Sequence, residues 1–313
     1  MTEKSTAQNP PANNRADHGR LMRLASMASV AAAVLLIAIK FVAFLQTGSV
    51  SLLSTLFDSA LDAGASIVNL IAVRHALMPA DEEHRFGHGK AEPLAGLVQV
   101  AFILGSSILL LTEVVDHFIT PRPVTAPMVG IVVMAVSLLV TLLLVVFQRA
   151  VVRKTGSMAI KADSAHYGSD FLVNASVIVA LILSAKFKLW WIDPAIGLAI
   201  ALFIAWAAVQ IGREALDMLM DREMDDAERT RIKEIVRGHK EVLDLHDLRT
   251  RIAGRDRFIQ FHLELDGGLS LTEAHRISDA VEAEIRAAFP EAEVIIHEDP
   301  AGVVERRASF RYH

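Results

Sequence analysis

The chain has 313 residues, of which 53% are hydrophobic and 21% charged, and its mean hydropathy is +0.40. A soluble domain of this length usually has a larger charged share and a mean hydropathy near or below zero. The apolar residues collect between Met22 and Ile211, whereas the part after Asp221 is strongly charged. This asymmetry excludes a single soluble globule and a disordered chain. The net charge of −5 gives no support for a nucleic-acid-binding protein.

The absence of cysteine limits the chemistry that the chain can perform. It excludes disulfides, thiolate catalysis and sulfur-ligated metals, so any metal must be bound by carboxylates, imidazoles, carbonyl groups or water. The sequence has no glycine-rich nucleotide loop, HExxH motif or serine-nucleophile elbow. We therefore expect no bound nucleotide and no enzymatic activity. Residues 1–20 are polar and are expected to form a disordered cytoplasmic tail.

Six apolar segments reach the length of roughly 20 residues that a helix needs to cross a bilayer. They predict an α-helical transmembrane domain over residues 21–213, with spans at about Leu24–Leu45, Val50–Leu77, Leu94–Phe118, Met128–Val152, Ile160–Ala185 and Ile192–Ile211. Basic residues concentrate on the side of the N-terminal tail, which predicts that both termini are cytoplasmic. Lys40, near the outer end of the first span, is expected to extend outward to the membrane surface.

Residues 214–300 have the pattern of a small cytoplasmic α+β domain, and residues 301–313 that of a C-terminal tail. The predicted elements are a helix at Asp225–Arg237, strands at Glu241–Ile252 and Arg257–Asp266, a helix at Ser270–Phe289 and a strand at Glu293–His297. Gly254 predicts a turn between the first two strands. The order αββαβ describes an open-faced sandwich.

Four ionisable residues have matching spacing within the second and fifth predicted spans. Asp58 and Asp62 are four residues apart, as are His166 and Asp170, so each pair lies on one side of its helix. An aspartate at the bilayer centre costs roughly 2.5–3.5 kcal/mol on insertion scales, so three of them require compensation. A divalent cation bound by one nitrogen and three oxygens would provide it, in a geometry that suits Zn²⁺. Protonated residues that join helices, or a solvated cation or proton path, are the alternatives.

Two further groups of candidate ligands lie outside the predicted spans. Asp81, His84 and His88 follow the second span, where they either bind a metal at the cytoplasmic edge or are simply solvated. The soluble domain has four histidines and a carboxylate in different elements: His246, His262, His275, His297 and Asp299. Any one of these histidines is better explained as a surface residue. Together, four histidines and a carboxylate in so small a domain predict metal binding. His262 lies on the alternate face from Phe261 and Leu263, so it is not simply a core residue.

These features together resemble the cation diffusion facilitator family, and most of all its bacterial ferrous-iron and zinc efflux branch. The resemblance covers nearly the whole chain outside the N-terminal tail and the last dozen residues. It rests on the six spans and on the segments Asp58-Ser-Ala-Leu-Asp62, His84-Arg-Phe-Gly-His88-Gly-Lys90-Ala-Glu92, His166-Tyr-Gly-Ser-Asp170, His246-Asp-Leu-Arg-Thr-Arg251 and Ile295-Ile-His-Glu-Asp-Pro300.

The resemblance implies a homodimeric antiporter of the inner membrane that exports a divalent metal, Zn²⁺ or Fe²⁺ or Cd²⁺, in exchange for protons. Asp58, Asp62, His166 and Asp170 would form the transport site, with a proton and the metal competing for His166. The loop residues Asp81, His84 and His88 would then form an interfacial site.

The resemblance also implies roles for residues of the soluble domain, which would have a metallochaperone-like fold. Its two-metal site, for ions with a structural or regulatory role, would consist of His246, His262, His275, His297 and Asp299. Lys90 and Asp221 match a charge interlock at the family's dimer interface. Glu298 stands where related members have an amide, with an unknown effect on the site.

Two other classes of protein are compatible with part of the pattern. A membrane-anchored metal sensor would bind metal in the soluble domain without transport, but would not need the four intramembrane residues. An intramembrane hydrolase would use a metal to activate water, and would need a general base and an open substrate groove. Neither class explains both sets of ligands. The ligand types do not rank Zn²⁺, Fe²⁺, Cd²⁺ and Mn²⁺, because imidazole and carboxylate accept all of them to some degree.

Overall fold

The computed structural model describes residues 12–47, 50–119, 128–187, 191–290 and 292–303. It divides into two compact units, the first ending at Leu219 and the second beginning at Met220. The first unit consists of six long helices, which are α1 (Ala12–Thr47), α2 (Val50–Ala76), α3 (Ala91–Ile119), α4 (Met128–Thr155), α5 (Met158–Phe187) and α6 (Ile192–Leu219). These six helices correspond to the six predicted spans.

Five helices are long and apolar enough to cross a membrane, judged by the residues that the structure describes. The remaining helix, α5, has Lys161, Asp163 and Asp170 in its first half, and its sequence after Asp170 is mostly apolar. One of the two helices that contain the predicted transport residues is therefore polar in its first half.

Two predicted boundaries differ from the structure. The predicted disordered tail, residues 1–20, extends too far, because α1 begins at Ala12; residues 1–11 lie outside the described part of the chain. Similarly, α6 continues past residue 213 to Leu219. Hydropathy marks the part of a helix that lies in the bilayer, whereas the helix itself continues while its backbone hydrogen bonds can form. The predicted tail at 301–313 is described only as far as Val303.

Close packing in the membrane unit depends on small residues. Helix α1 packs against α2 and α4, α3 packs against α6, and α5 contacts α3, α4 and α6. At Gly197 of α6, a Cβ atom would lie 2.7 Å from Val114 Cγ2 of α3, which is closer than such atoms can approach. Glycine at this position therefore allows the two helices to approach each other, as small residues do in membrane helix pairs.

The second unit has the predicted order αββαβ. Its elements are α7 (Asp226–Gly238), β1 (Asp244–Ala253), β2 (Asp256–Leu265), α8 (Leu271–Ala288) and β3 (Ala292–Pro300). Strand β2 lies at the centre of the sheet, antiparallel to β1 and parallel to β3. Gly254 has a φ of +64° in the turn between β1 and β2, a backbone conformation that glycine adopts without strain.

Among the residues that the structure describes, helices cover one face of this sheet and leave the other uncovered. Phe261 and Leu263 of β2 are buried against Ile277 and Val281 of α8 in a common apolar core. Side chains alternate along a strand, so His262 lies on the opposite face, as predicted. The sequence therefore builds an open-faced sandwich whose uncovered face carries histidine.

Candidate metal sites

Three ionisable side chains of α2 and α5 converge inside the membrane unit. His166 Nε2 lies 3.2 Å from Asp62 Oδ1 and 3.8 Å from Asp170 Oδ2. One ligand atom from each of the three residues lies within 4.8 Å of the other two, and His166 is buried. An imidazole nitrogen with carboxylate oxygens at these separations is a ligand set for a cation such as Zn²⁺.

Asp58, the fourth predicted ligand of this site, is not part of the cluster. It lies one helical turn before Asp62 on α2 and is exposed, whereas Asp62 is half-buried. The structure thus brings together three of the four predicted ligands, and the role of Asp58 stays a prediction.

Lys40 is hydrogen-bonded to α2, and its extension toward the membrane surface stays a prediction. Its Nζ donates hydrogen bonds to Ser59 Oγ at 2.7 Å and to Thr55 O at 3.1 Å, both on α2. Ser59 lies between Asp58 and Asp62 on α2, so the ammonium is held on the helix that carries two of the predicted ligands. A cation at this place lowers the cost of burying carboxylates in the membrane. Lys40 therefore supplies part of the compensation that had been predicted to come from a metal.

The loop between α2 and α3 brings Asp81, His84 and His88 together. Asp81 Oδ1 lies 3.2 Å from His84 Nδ1, and Asp81 Oδ2 lies 3.3 Å from His88 Nε2. The backbone N–H of His84 donates to Asp81 at 2.6 Å, and this hydrogen bond holds the pKa of the Asp81 carboxyl below its usual value. The carboxylate is therefore kept in the ionised form that a metal requires.

Strand register places three histidines in one row across the second unit's sheet. His262 of β2 pairs with His246 of β1 on one side and with His297 of β3 on the other. Asp299 follows His297 by two residues and so lies on the same face. Asp299 Oδ2 lies 2.8 Å from His262 Nδ1 and 3.0 Å from His246 Nε2, and Asp299 Oδ1 lies 3.2 Å from His297 Nε2. We call these four residues the histidine row.

The carboxylate of the histidine row is held in its charged form. Burial alone would raise the pKa of Asp299, but the hydrogen bond with His262 and the attraction of His262 and His297 bring it below its usual value.

By strand alternation, Glu298 faces the opposite side from the row. A further group, Asp244 and Glu264 with His246, adjoins the row and had not been predicted.

His275, the fifth predicted ligand of the soluble domain, is not part of the histidine row. Its side chain is 72% exposed, and its Nε2 lies 3.7 Å from Asp279 Oδ2 of the same helix. It lies on α8, which covers the apolar face of the sheet, whereas the row is on the uncovered face. Within one chain His275 therefore lies apart from the other predicted ligands, and its part in the site stays a prediction.

Lys90 and Asp221, the predicted charge interlock, each have a partner in their own unit. Lys90 Nζ donates to Leu219 O at 3.3 Å, and Asp221 Oδ1 accepts a hydrogen bond from Arg251 Nη1 at 3.2 Å. The interlock was predicted for a dimer, so it stays a prediction.

Both units match families of known proteins. The family described as the cation efflux transmembrane domain matches residues 26–220, and the family described as the cation efflux protein, cytoplasmic domain, matches residues 224–301. The chain therefore belongs to the cation efflux family, the cation diffusion facilitators, which confirms the resemblance seen in the sequence. Members of this family are transporters, so the chain is a multi-pass membrane transporter of metal cations and not an enzyme.

Its relatives include cation-efflux pumps named FieF from several bacteria. The pump of Shewanella oneidensis is 50% identical over 282 residues, which cover 90% of this chain and 95% of the relative. The pump of Cronobacter sakazakii is 49% identical over 290 residues, covering 93% and 96% of the two chains. A solved structure, the metal-bound C-terminal domain of the CzcD transporter from Thermotoga maritima, is 28% identical and covers 26% of this chain and 100% of that one, with a TM-score of 0.25.

Proposed function

We propose that the protein exports divalent metals of the Zn²⁺, Fe²⁺ and Cd²⁺ type from the cytoplasm in exchange for external protons. The observation that carries this proposal is the convergence of Asp62, His166 and Asp170 from two helices of the membrane unit. Imidazole with carboxylate favours these cations over alkali and alkaline-earth ions, which prefer oxygen ligands alone. Asp58, one turn before Asp62 on α2, is proposed as the fourth ligand of the metal.

Proton exchange is proposed from the chemistry of His166. A metal binds the neutral imidazole, so a proton and a metal compete for the same nitrogen. Without metal, His166 Nε2 and Asp62 Oδ1 are close enough, at 3.2 Å, to share a proton in a hydrogen bond. Metal arriving from the cytoplasm would displace that proton, and protons from outside would displace the metal. The sequence has no nucleotide-binding motif, so a proton gradient is the proposed energy source.

The second unit is proposed to lie in the cytoplasm with both termini, and its histidine row to bind a structural or regulatory metal. His275 lies beside the other face of the sheet, so it could join such a site only from a second copy of the chain. This requirement agrees with the proposed homodimer. The loop cluster of Asp81, His84 and His88 is proposed as a further metal site at the cytoplasmic edge of the membrane.

Metal flux in proteoliposomes tests the transport site. Full-length protein is reconstituted, a pH gradient is imposed, and Zn²⁺, Fe²⁺, Cd²⁺ and Mn²⁺ are offered separately while dyes report internal metal and pH. We expect Asp62→Ala to abolish metal flux, because the metal loses a ligand from a small site. Asp226→Ala is the matched control, since this carboxylate of α7 is 99% exposed and belongs to none of the metal clusters.

The outcomes separate the parts of the proposal. Flux at the wild-type rate from Asp62→Ala would contradict the assigned site. Metal movement by the wild-type protein without proton counterflow at any gradient would contradict antiport and leave facilitated diffusion.

A further inference from the structure

A fully buried carboxylate, Asp163, lies on α5 one turn before His166 and has no part in the proposed transport chemistry. Three uncharged side chains of α1, α3 and α4 donate hydrogen bonds to it: Ser29 Oγ at 2.5 Å, Gln99 Nε2 at 3.2 Å and Gln148 Nε2 at 2.6 Å. Gln99 Nε2 also donates to Ala65 O of α2 at 3.2 Å. A buried carboxylate is tolerated when hydrogen bonds satisfy it, and here the donors tie five helices to one point.

The same hydrogen-bond network continues along α5 to Tyr167, one turn after Asp163. Tyr167 Oη donates to Ser29 O at 3.3 Å and shares a hydrogen bond of 2.7 Å with Ser66 Oγ of α2. Ser29 is therefore bonded to two residues of α5 that are a turn apart, once through its hydroxyl and once through its carbonyl. Two bonds at different heights restrict both the rotation of α5 against α1 and its sliding along α1.

The network also sets the level at which α2 faces α5. Ser66 lies one turn after Asp62 on α2, and Tyr167 directly follows His166 on α5. The Ser66–Tyr167 hydrogen bond therefore lies next to the 3.2 Å contact between Asp62 Oδ1 and His166 Nε2. A shift of α5 that broke the first contact would also separate the two metal ligands.

We infer that Asp163 is a positioning residue for transport: it anchors α5 to its neighbours so that His166 and Asp170 meet Asp62 at metal-binding distance. Asp163 does not contact the metal in this account and acts through the helix that bears the ligands. The inference rests on the proposed transport site. A helix held by apolar packing alone could rotate without breaking a specific contact. Helix α5 is instead held by buried polar hydrogen bonds, so its rotation would break them.

Asp163→Asn tests the inference, because asparagine keeps the shape of the residue but cannot accept hydrogen bonds from all three donors. Zn²⁺ flux of the full-length protein in proteoliposomes is measured over a range of metal concentrations, and the ratio of Zn²⁺ to Mn²⁺ flux is measured in parallel. We expect KM for Zn²⁺ to rise about 10-fold, the lower end of the effect of losing groups that support metal ligands, and the preference for Zn²⁺ to fall.

Two further variants keep the test decisive. Ser29→Ala removes one donor to Asp163 and should raise KM in the same direction by a smaller factor, so it decides the question if Asp163→Asn does not fold. Ser107→Ala is the matched control: it removes a buried hydrogen bond of 2.9 Å to Ala201 O, between α3 and α6, outside the network. It should leave KM and metal preference unchanged.

A role in stability alone predicts fewer folded molecules but the same KM and the same metal preference in those that remain. That result, in Asp163→Asn and Ser29→Ala alike, would overturn the inference. Absence of metal flux from the wild-type protein would instead contradict the proposed function, so the two failures can be told apart.

Discussion

Individual ionisable residues of the membrane unit are stabilised in two different ways. Asp163 accepts hydrogen bonds from neutral side chains, whereas Asp62 lies about one turn after Ser59, which is hydrogen-bonded to the Lys40 ammonium. Lysine is a point charge on a flexible stem, so it acts on nearby carboxylates through space. The proposed metal ligand Asp62 therefore has a cation of the chain close by, whereas Asp163 is held by neutral donors.

Lys40→Met is expected to lower KM for Zn²⁺ about fivefold, because it removes a cation that repels the metal and competes for its ligands. Such a change corresponds to about 1 kcal/mol, within the range of roughly 1–4 kcal/mol for two charges 4 Å apart in water or near a protein surface. Concentration-dependent flux in proteoliposomes measures it. Lys40→Arg keeps the charge and should keep KM near the wild-type value. An unchanged or raised KM in folded Lys40→Met would contradict this role.

The predicted ligands of the membrane unit could be read from the sequence, because pairs of ionisable residues at helical spacing stand out in apolar spans. Asp163 was missed, although it lies three residues before His166 and thus near the same side of α5. Its partners are serine and glutamine, whose presence in a span carries no comparable signal. The hydrogen bonds of Lys40 to α2 were not predicted, because position along a helix does not tell which neighbour a long side chain contacts.

At the scale of secondary structure, local chemistry explains where the elements of the second unit begin and end. Ser270 Oγ accepts a hydrogen bond from the backbone N–H of Glu273, whose carboxylate accepts one from the N–H of Ser270. Pro290 follows the end of α8, as predicted from the sequence. These signals lie within a few residues of each other, so α8 was predicted almost to its ends. The face of the sheet that α8 covers depends on contacts distant in sequence, so the sequence did not show that His275 lies away from the histidine row within one chain.

Ser270→Ala is expected to destabilise the first turn of α8 by about 1 kcal/mol, the usual cost of losing a helix N-cap. Hydrogen exchange of the α8 amides in the full-length protein measures the loss. Thr272→Ala, an exposed neighbour in the same turn, is the control and should change exchange little.

Acid should weaken the same turn. Hydrogen bonds from the Ser270 hydroxyl and N–H hold the pKa of Glu273 below its usual 4.5. The ionised carboxylate therefore contributes fully to the stability of this turn above the usual pKa of 4.5. That contribution is lost as pH falls through the lowered pKa of the folded protein. Equal exchange rates in Ser270→Ala and wild type at neutral pH would contradict the capping role.

On the scale of the whole molecule, metal ligands occur in both compact units and on different kinds of scaffold. The membrane unit presents Asp62 and His166 from two helices, whereas the second unit presents its histidine row on neighbouring strands. The division of the chain was predictable from the change in composition near Asp221. The members of the row were predicted as ligands, but their alignment across the sheet was not, because it depends on the register of three strands.

His262→Ala is expected to reduce the number of metals bound by the full-length protein, because it removes the central ligand of the histidine row. Metal content after equilibrium dialysis measures the change, and flux through the membrane site should persist. His239→Ala is the matched control, since His239 pairs with Glu284 at 2.9 Å outside the row. An unchanged metal content in His262→Ala would contradict metal binding by the row.

The shared register of β1, β2 and β3 makes this sheet sensitive to errors in strand alignment. Moving β3 by one residue against β2 would send His297 and Asp299 to the helix-covered side and bring Glu298 to the open side. The strand could still pair through its backbone, but imidazole and carboxylate would no longer converge. A bound ion would therefore select the native alignment from its misaligned competitors. Metal binding would thus help the three strands to fold in their native register.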